Sequence, residues 1–369
     1  MARFILAAGG TGGHIFPALA VAEIMQKQGH DVMLYTDKRG APMIEGKASY
    51  QIIASASPFA GNVIKKSVAM VKLGLGFCQS LLMMITKRPK AVIGFGGYPS
   101  FAPCASARLL GIATFLHEQN AVMGRANRLL AKLCQLTALS WQGTAGLPKD
   151  SAHIVTGLPV RQAFFALADY QPKDASDKCH IVVIGGSLGA RLFAETVPEA
   201  IALLAPELQK SVTITQQART DQIAALKSAY ERLGITAHIA PFFHDIAACY
   251  DTADIIISRS GASSVAEISA SGRPAILIPF PDAMDDHQTG NAKALSTDGG
   301  AILLDEASLS ASHLASLLTD ILHDNNRRCE MAHSARRLSV KDAATLLAKT
   351  VTDAVLPPQP SATQQGSRS

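Results

Sequence analysis

The sequence predicts an α/β protein of two domains, each built around a parallel β-sheet. Short runs of branched apolar residues alternate with helix-like segments, which is typical of strands joined by crossover helices. The chain has 369 residues and exceeds the length at which a single hydrophobic core keeps growing. The alternation weakens at residues 171–177 and then resumes, so we predict a second domain beyond this stretch.

Apolar runs predict strands in both halves of the chain: residues 3–8, 31–35, 91–94 and 113–116, and then 180–184, 211–215, 254–258 and 275–279. We expect residues 1–160 to form an N-terminal domain and residues 161–338 a C-terminal domain. Ser339, followed three residues later by an acid, resembles a capping box. This predicts a C-terminal helix over residues 339–355 that packs back on the N-terminal domain. Residues 356–369 are rich in Pro, Ser and Gln, so we expect disorder there.

The charge is distributed unevenly along the chain. Residues 46–149 hold twelve Lys and Arg but one acid, Glu118, and carry +11, whereas the remainder carries −6. A field of one sign usually serves an anionic partner, such as nucleic acid, a phosphorylated substrate or lipid headgroups. Aromatic residues make up only 5% of the chain and no nucleic-acid-binding motif is recognised. We therefore predict no nucleic acid partner.

The cysteines indicate a reducing environment. The six cysteines lie at least 26 residues apart and include no C-x-x-C pair, which favours neither a disulfide framework nor a zinc site. No basic region, apolar stretch and cleavage site precede the first predicted strand, so we expect no signal peptide. Both observations predict a protein that works in the cytoplasm.

Each predicted domain opens with a strand that runs into a glycine-rich loop and then a helix. The first glycine loop is residues 9–14 (GGTGGH), the second is residues 185–190 (GGSLGA), and a third, residues 94–98 (GFGGY), follows another strand. Glycine allows close approach of the backbone to a ligand, and the N–H groups at the start of a helix favour phosphate. Two such loops in corresponding places predict phosphate binding.

A dinucleotide-binding oxidoreductase is the obvious alternative, with Asp37 as the acid that binds the ribose. Its fingerprint G-x-G-x-x-G, counted from Gly10, requires glycine where Ile15 stands. Counted from Gly94, it requires glycine where Pro99 stands. A Walker loop, G-x-x-x-x-G-K-[ST], is also absent. We therefore predict neither a nucleotide cofactor nor hydrolysis of ATP or GTP.

Five motifs follow one another along the chain: residues 9–14, 94–98, 117–120 (HEQN), 185–190 and 259–262 (RSGA). Over about residues 3–350 this set resembles glycosyltransferase family 28, and among its members the N-acetylglucosaminyltransferases of peptidoglycan synthesis. The resemblance implies the GT-B fold, in which two Rossmann-like domains face each other across a cleft. It also implies inverting, metal-free transfer of N-acetylglucosamine from UDP-N-acetylglucosamine to lipid I, undecaprenyl-pyrophosphoryl-N-acetylmuramoyl-pentapeptide. The product would be lipid II.

The same resemblance assigns site residues. It implies that the C-terminal domain binds the UDP-sugar donor and that the N-terminal domain faces the acceptor and the membrane. The positions that match donor contacts in the family are Thr11, Gly12, Gly13, Asn120, Arg161, Ser187, Phe243, Ala262, Ser263, Ser264, Val265, Ala266, Glu267 and Gln288. The candidates for acceptor binding are Gly96, Gly97 and Tyr98. Leu158, Leu188 and residues 216–219 depart from the family pattern, and we assign them no role.

Glycosyl transfer requires a base at the acceptor hydroxyl and stabilisation of the departing diphosphate. His14 is the only ionisable side chain in the first glycine loop and is our predicted base, with Glu118 as the alternative. We expect Ser187, with the N–H groups of its loop, and Arg161 to stabilise the diphosphate. No D-x-D triplet occurs in the chain, so no metal site is predicted.

Residues 68–85 are apolar and long enough to be considered as a membrane-spanning helix. Lys72 interrupts the segment, and residues 87–90 lead directly into a predicted strand, so we predict a helix that is partly buried and partly exposed. Basic residues flank its exposed side and suit an anionic bilayer. The predicted membrane contacts are Lys65, Lys66, Lys72 and Phe77. Together with a lipid-anchored acceptor, they predict a peripheral protein on the cytoplasmic face of the inner membrane.

Three alternative functions fit the same architecture. Two are enzymes: a related UDP-sugar glycolipid synthase and a UDP-N-acetylglucosamine 2-epimerase. The third is a scaffold, for example within the cell-wall synthesis machinery, that binds a nucleotide sugar without turnover. A product that forms only when lipid I is present distinguishes the predicted function from all three.

Overall fold

The chain folds into two α/β domains in a computed structural model that describes residues 1–58, 62–173, 177–185 and 191–357. Within these ranges the strands form two sheets, one of seven and one of six strands, and every neighbouring pair is parallel. The predicted α/β class, with a parallel sheet in each of two domains, is therefore confirmed.

The first sheet has the strand order β3-β2-β1-β4-β5-β6-β7. Its strands are β1 (Arg3–Ala7), β2 (Asp31–Thr36), β3 (Tyr50–Ile52), β4 (Ala91–Gly94), β5 (Ala113–Glu118), β6 (Leu136–Leu139) and β7 (His153–Val155). The helices around it are α1 (Gly12–Lys27), α2 (Ala41–Ile44), α3 (Val63–Lys87), α4 (Tyr98–Leu109) and α5 (Arg125–Ala131). The central strands are mainly apolar because helices cover both faces of a parallel sheet.

The second sheet has the order β10-β9-β8-β11-β12-β13. After the connecting helix α6 (Gln162–Phe165), its strands are β8 (Cys179–Ile184), β9 (Val212–Gln217), β10 (Ala237–Ala240), β11 (Ile255–Ser258), β12 (Ala275–Leu277) and β13 (Ile302–Leu303). Its helices are α7 (Arg191–Ala202), α8 (Pro206–Lys210), α9 (Ile223–Arg232), α10 (Ile246–Asp251), α11 (Ala262–Ser271), α12 (His287–Ser296), α13 (Ala311–His323) and α14 (Asn325–Leu338).

In both sheets the strand order reverses beside the first strand of the domain. The reversals lie between β1 and β4 and between β8 and β11. Ligands of doubly wound sheets bind outside the carboxyl ends of the strands at such a point. The first and third glycine loops follow β1 and β4, so both lie at the switch point of the first sheet.

The last helix, α15 (Ala343–Val355), packs on the first domain. Its residues Leu347, Ala348 and Val351 belong to the buried cluster that surrounds β1 and α1. The predicted start of this helix at residue 339 is wrong. Ser339 is the C-cap of α14, with its hydroxyl donating to the backbone carbonyl of Arg336 (2.6 Å), and the N-cap of α15 is Asp342 instead.

The chain crosses between the domains twice, and the two crossing segments touch. Gly157 follows β7 with φ of +78°, and a Cβ at this position would clash with the side chain of Val340. Glycine is therefore required where the first crossing meets the second. The predicted disordered tail falls largely on residues 358–369, which lie outside the described residues.

Candidate active site

The first glycine loop is held at the carboxyl end of β1 and faces the second domain. Asp37, directly after β2, accepts hydrogen bonds from the backbone N–H groups of Gly10 (3.2 Å) and Gly40 (2.9 Å). It holds the loop in place and is buried, so it does not face a ribose as the dinucleotide alternative requires. A Cβ on Gly13 would lie 3.8 Å from the hydroxyl of Ser263. The loop and α11 therefore form opposite walls of one cleft.

His14 lies in the first turn of α1, against the third glycine loop. Its Nδ1 is 2.9 Å from Oε1 of Gln119. Gly96 has φ of +96°, and a Cβ there would lie 3.1 Å from Nδ1 and Cε1 of His14. Gly97 has φ of +72°, and its Cβ would lie 2.9 Å from the carbonyl oxygen of Gly9. The two predicted acceptor glycines thus border the predicted base. A side chain at either position would crowd the atoms around His14.

The surroundings keep the His14 imidazole neutral at physiological pH. Burial lowers the pKa of His14, against the Gln119 hydrogen bond and the Glu118 charge, which both raise it. The charge of His287 lowers the same pKa further, whereas the backbone carbonyl of Phe95 raises it. The residue as a whole is partly exposed. A neutral, accessible imidazole has a lone pair that can accept a proton.

Glu118, the alternative base, has both carboxylate oxygens occupied. Oε1 accepts from the backbone N–H of Asn120 (2.9 Å) and from its side-chain amide (3.1 Å). Oε2 accepts from the backbone N–H of Gly124 (3.1 Å) and from the amide of Asn127 (2.8 Å). The residue is 1% exposed. This arrangement fits a carboxylate that shapes the loop after β5 better than one that removes a proton from substrate.

Asn120 and Asn291 join the two domains. The amide of Asn291 donates to Oδ1 of Asn120 (3.1 Å) and to the carbonyl of Ser260 (3.0 Å), and its Oδ1 accepts from the backbone N–H of Ala121 (2.8 Å). Asn291 is fully buried, and these bonds hold its side chain in the interface between the domains. Gln288, one turn earlier on α12, accepts a hydrogen bond from the backbone N–H of Phe280 (3.0 Å) and holds the preceding loop.

Arg161 and Glu267 meet at the second domain's side of the cleft. Nη2 of Arg161 lies 3.3 Å from Oε1 of Glu267, and its guanidinium stacks over the ring of Phe164 at 4.9 Å. Burial raises the pKa of Glu267 to about 7, and the positive charge of Arg161 opposes this rise. Glu267 is therefore only partly ionised near neutral pH, and its ionised fraction depends strongly on its neighbours.

The start of α11 offers unpaired donors to the cleft. The hydroxyls of Ser260 and Ser263 are buried and have no hydrogen-bond partner among the described residues. The first N–H groups of a helix also lack partners within the helix and attract anions. Val265 is fully buried in the core of the domain, whereas Ser264 is partly exposed. Of the residues predicted between 262 and 267, only Ser263, Ser264 and Glu267 have polar side chains that can bind a ligand.

The remaining predicted donor and acceptor residues occupy varied positions. Thr11 is exposed at the N-cap of α1, and Gly12 opens this helix. Phe243 is half-buried, with its ring edge against His238 at 5.3 Å. Tyr98 is the first residue of α4 and is half-buried. Ser187 lies outside the described residues, as does most of the second glycine loop.

Sequence reasoning missed an ion pair between the domains. Arg125 on α5 binds Asp285 through Nε (3.1 Å) and Nη2 (2.9 Å), and Arg128 approaches the same carboxylate at 3.7 Å. Asp285 and Asp286 both have positive φ, of 55° and 53°. The sequence shows an acidic loop at residues 282–286, but Arg125 lies 160 residues from Asp285, so spacing alone did not reveal the ion pair.

Two family models match most of the chain. The Glycosyltransferase family 28 N-terminal domain matches residues 4–138, and the C-terminal domain matches residues 180–347. The chain belongs to glycosyltransferase family 28. The resemblance on which the site was predicted is therefore confirmed, and this family 28 chain is a UDP-N-acetylglucosamine-dependent glycosyltransferase.

Relatives of known name support the same assignment. The UDP-N-acetylglucosamine--N-acetylmuramyl-(pentapeptide) pyrophosphoryl-undecaprenol N-acetylglucosamine transferase of Allorhizobium ampelinum is 42% identical over 352 residues, covering 94% of each chain. The crystal structure of MurG from Acinetobacter baumannii matches with a TM-score of 0.81 and 30% identity, over 95% of this chain and 99% of that one. The UDP-GlcNAc 2-epimerase of Neisseria meningitidis, bound to UDP-GlcNAc, matches with a TM-score of 0.67, covering 95% and 99% of the two chains. At 13% identity this last likeness shows the fold alone.

Helix α3 carries an apolar surface on the family's N-terminal domain. It has 25 residues and a mean hydropathy of 1.8 over its most apolar window, so by length and composition it could cross a membrane. Only 22% of that window is buried inside the protein. Its exposed apolar side chains are Val63, Ile64, Val68, Met70, Val71, Leu75, Leu82 and Ile85. Lys65, Lys66 and Lys72 are exposed beside them, whereas Phe77 is half-buried. The helix is thus partly buried and partly exposed, as predicted.

Proposed function

We propose that the protein transfers N-acetylglucosamine, with inversion, from UDP-N-acetylglucosamine to lipid I and so forms lipid II. The observation that carries this proposal is the pairing of two walls across one cleft. A neutral, accessible imidazole lies on the first domain, and a helix start with two unpaired serine hydroxyls lies opposite on the second. The geometry suits a reaction in which a proton leaves on one side and a diphosphate on the other.

On the donor side, the roles follow from the chemistry of UDP. Glu267, when ionised, accepts hydrogen bonds from the two ribose hydroxyls. The start of α11, the hydroxyls of Ser260 and Ser263, Arg161, and the second glycine loop with Ser187 bind the diphosphate. Arg161 exchanges its contact with Glu267 for one with the diphosphate when the donor enters the cleft.

On the acceptor side, Gly96, Gly97 and Tyr98 receive the reacting sugar beside His14. The acceptor hydroxyl oxygen attacks the anomeric carbon of N-acetylglucosamine and gives its proton to His14. The bond between the anomeric carbon and the diphosphate breaks, and its electron pair leaves with UDP. A single displacement of this kind inverts the anomeric configuration.

The two domains divide the work between acceptor and donor. Residues 1–160 bind the acceptor and face the membrane, residues 161–338 bind the donor, and the C-terminal helix ties the second domain back to the first. Helix α3 with Lys65, Lys66 and Lys72 holds the protein on the anionic cytoplasmic face of the inner membrane, where lipid I is anchored. Other proteins of cell-wall synthesis can join it on that surface.

Incubation with radiolabelled UDP-N-acetylglucosamine and lipid I in vesicles tests this function. We expect label in a lipid product of one added sugar, formed only when lipid I is present. Conversion of the donor to its 2-epimer without acceptor would favour the epimerase instead. Transfer to diacylglycerol in place of lipid I would favour a glycolipid synthase, and tight donor binding without any product would favour a scaffold.

A further inference from the structure

A chain of hydrogen bonds runs from His14 into the interior of the first domain. Nδ1 of His14 lies 2.9 Å from Oε1 of Gln119, and Nε2 of Gln119 lies 2.9 Å from Nδ1 of His117. Nε2 of His117 lies 3.1 Å from the backbone carbonyl oxygen of Gly157. Gln119 and His117 are 1% and 0% exposed, so water does not replace any of these partners.

The direction of every bond in the chain follows from its last member. The carbonyl of Gly157 can only accept, so Nε2 of His117 carries the hydrogen. Burial lowers the pKa of His117 to about 4, against the Gly157 carbonyl, so the ring is neutral and its Nδ1 is an acceptor. The NH₂ group of Gln119 therefore points to His117, and it also donates to the backbone carbonyl of that residue (3.2 Å).

This order leaves only the oxygen of the Gln119 amide for His14. An amide oxygen accepts, so Nδ1 of a neutral His14 must carry the ring hydrogen. Gln119 is the side-chain partner of Nδ1, the backbone carbonyl of Phe95 also acts on the ring, and Nε2 is not among the buried polar atoms that lack a partner. In a neutral ring with hydrogen on Nδ1, Nε2 carries the lone pair.

We propose that Gln119 and His117 are positioning residues that hold His14 as its Nδ1–H tautomer, so that Nε2 faces the acceptor as the base. The inference rests on the proposed role of His14 in transfer. A histidine without this restraint distributes its hydrogen between both nitrogens, and a ring with hydrogen on Nε2 cannot take the acceptor's proton there. The amide does for this imidazole what a buried carboxylate does in other bases, but adds no negative charge.

The anchor of the chain is itself held in place. Gly157 lies on the first crossing between the domains, with φ of +78°, against the side chain of Val340 on the second crossing. The charged or titratable groups that act on His14 are Glu118 and His117 from the end of β5 and His287 from α12. Since Glu118 raises the pKa and both histidines oppose protonation, the pH profile reports on all of them, and the tautomer must be measured directly.

Long-range ¹H–¹⁵N correlation spectra of the full wild-type chain with ¹⁵N-labelled histidine measure the tautomer of each ring directly. At pH 8 we expect His14 as the Nδ1–H tautomer and His117 as the Nε2–H tautomer, assigned from the His14→Ala and His117→Phe spectra. An Nε2–H tautomer of His14 in the wild-type protein would overturn the proposal, whatever the activity of any variant.

Gln119→Leu removes the relay and should release the tautomer. We expect kcat to fall about 10- to 100-fold, as for loss of other groups that orient an active-site ligand, with KM for UDP-N-acetylglucosamine little changed. The His14 signal should shift toward the Nε2–H tautomer. Gln209→Leu is the control, because that amide also donates two hydrogen bonds, to the backbone carbonyls of Ala202 (2.9 Å) and Leu204 (2.8 Å), but lies in the second domain. It should leave kcat unchanged.

A second variant keeps the test valid if Gln119→Leu does not fold. Gln119→Glu has the same shape and still accepts from Nδ1 of His14, but cannot donate to His117. We expect the Nδ1–H tautomer to persist while the added charge moves the acidic limb of the kcat profile to higher pH. A normal kcat in Gln119→Leu, together with a lowered kcat in His14→Ala, would overturn the positioning role of Gln119 but not the role of His14 as the base. Normal kcat in His14→Ala would instead overturn the base, and the spectra would still decide the tautomer.

Discussion

Arg161 and Glu267 form an ion pair of 3.3 Å that joins the crossing between the domains to α11. Arg161 is 53% exposed in its side chain, whereas Glu267 is 20% exposed. The carboxylate of this pair lies at the edge of the cleft, and burial raises its pKa. Its state of ionisation makes donor binding sensitive to pH.

We expect the affinity for UDP-N-acetylglucosamine to rise about tenfold between pH 6 and pH 8, because only ionised Glu267 accepts both ribose hydroxyls and its pKa is about 7. Without donor, the raised pKa lowers the free energy of unfolding as pH rises from about 4.5 to 7, because Glu267 ionises more readily in the unfolded chain. Calorimetry with the sugar nucleotide at both pH values measures the affinity. Glu267→Gln should bind weakly and equally at both, and a pH dependence preserved in that variant would contradict the assignment.

His14→Ala should lower kcat by a factor on the order of 10² to 10⁴ with the affinity for UDP-N-acetylglucosamine nearly unchanged, since a general base contributes about this much. The base must be neutral, and burial lowers the pKa of His14 from its ordinary value of 6.5, so the wild-type kcat at saturating UDP-N-acetylglucosamine should fall only below that pH. The variant should lack this acidic limb. Stopped assays over pH 5 to 9 measure both; a variant with normal rate and an unchanged limb would direct attention to Glu118.

Gly96→Ala should slow transfer while donor binding stays intact. The new Cβ would lie 3.1 Å from Nδ1 of His14 and displace the ring. Gly111→Ala is the control, because Gly111 also has positive φ, of +70°, but nothing lies within 4 Å of its Cβ position. Both variants should lose about 1 kcal/mol of unfolding free energy from backbone strain. Denaturant titration and kcat measured together separate the two effects, and equal rates in both variants would contradict the contact with His14.

The triple substitution Lys65→Glu, Lys66→Glu, Lys72→Glu should weaken binding to anionic vesicles on the order of 100-fold, because each basic residue near the bilayer contributes about 1 kcal/mol. Wild-type binding should itself weaken with added salt. Co-sedimentation measures both. The exposed lysines 178, 210 and 227 of the second domain, changed together to Glu, provide a control of equal charge. Equal pelleting of the two triple variants would show that α3 does not bind lipid.

Much of the fold and the donor class could be read from the sequence because they depend on local patterns. The apolar runs, the glycines at strand ends and the HEQN and RSGA motifs are each contained in a few neighbouring residues. The same holds for the end of α11 at Gly272, where glycine adopts a left-handed conformation with φ of +57°. The family and its reaction followed from these motifs without knowledge of the packing.

The tertiary structure decided which side chains remain free for chemistry, because their partners lie far away in the sequence. The bonds of Asn291 to Asn120 and Ala121, 170 or more residues away, place its side chain in the domain interface. Glu118 was the alternative to His14 as the base, and only the structure shows that four hydrogen bonds occupy its oxygens. The hydrogen on the His14 ring depends on a carbonyl at Gly157, three hydrogen bonds away, whose position only the folded crossing between the domains determines.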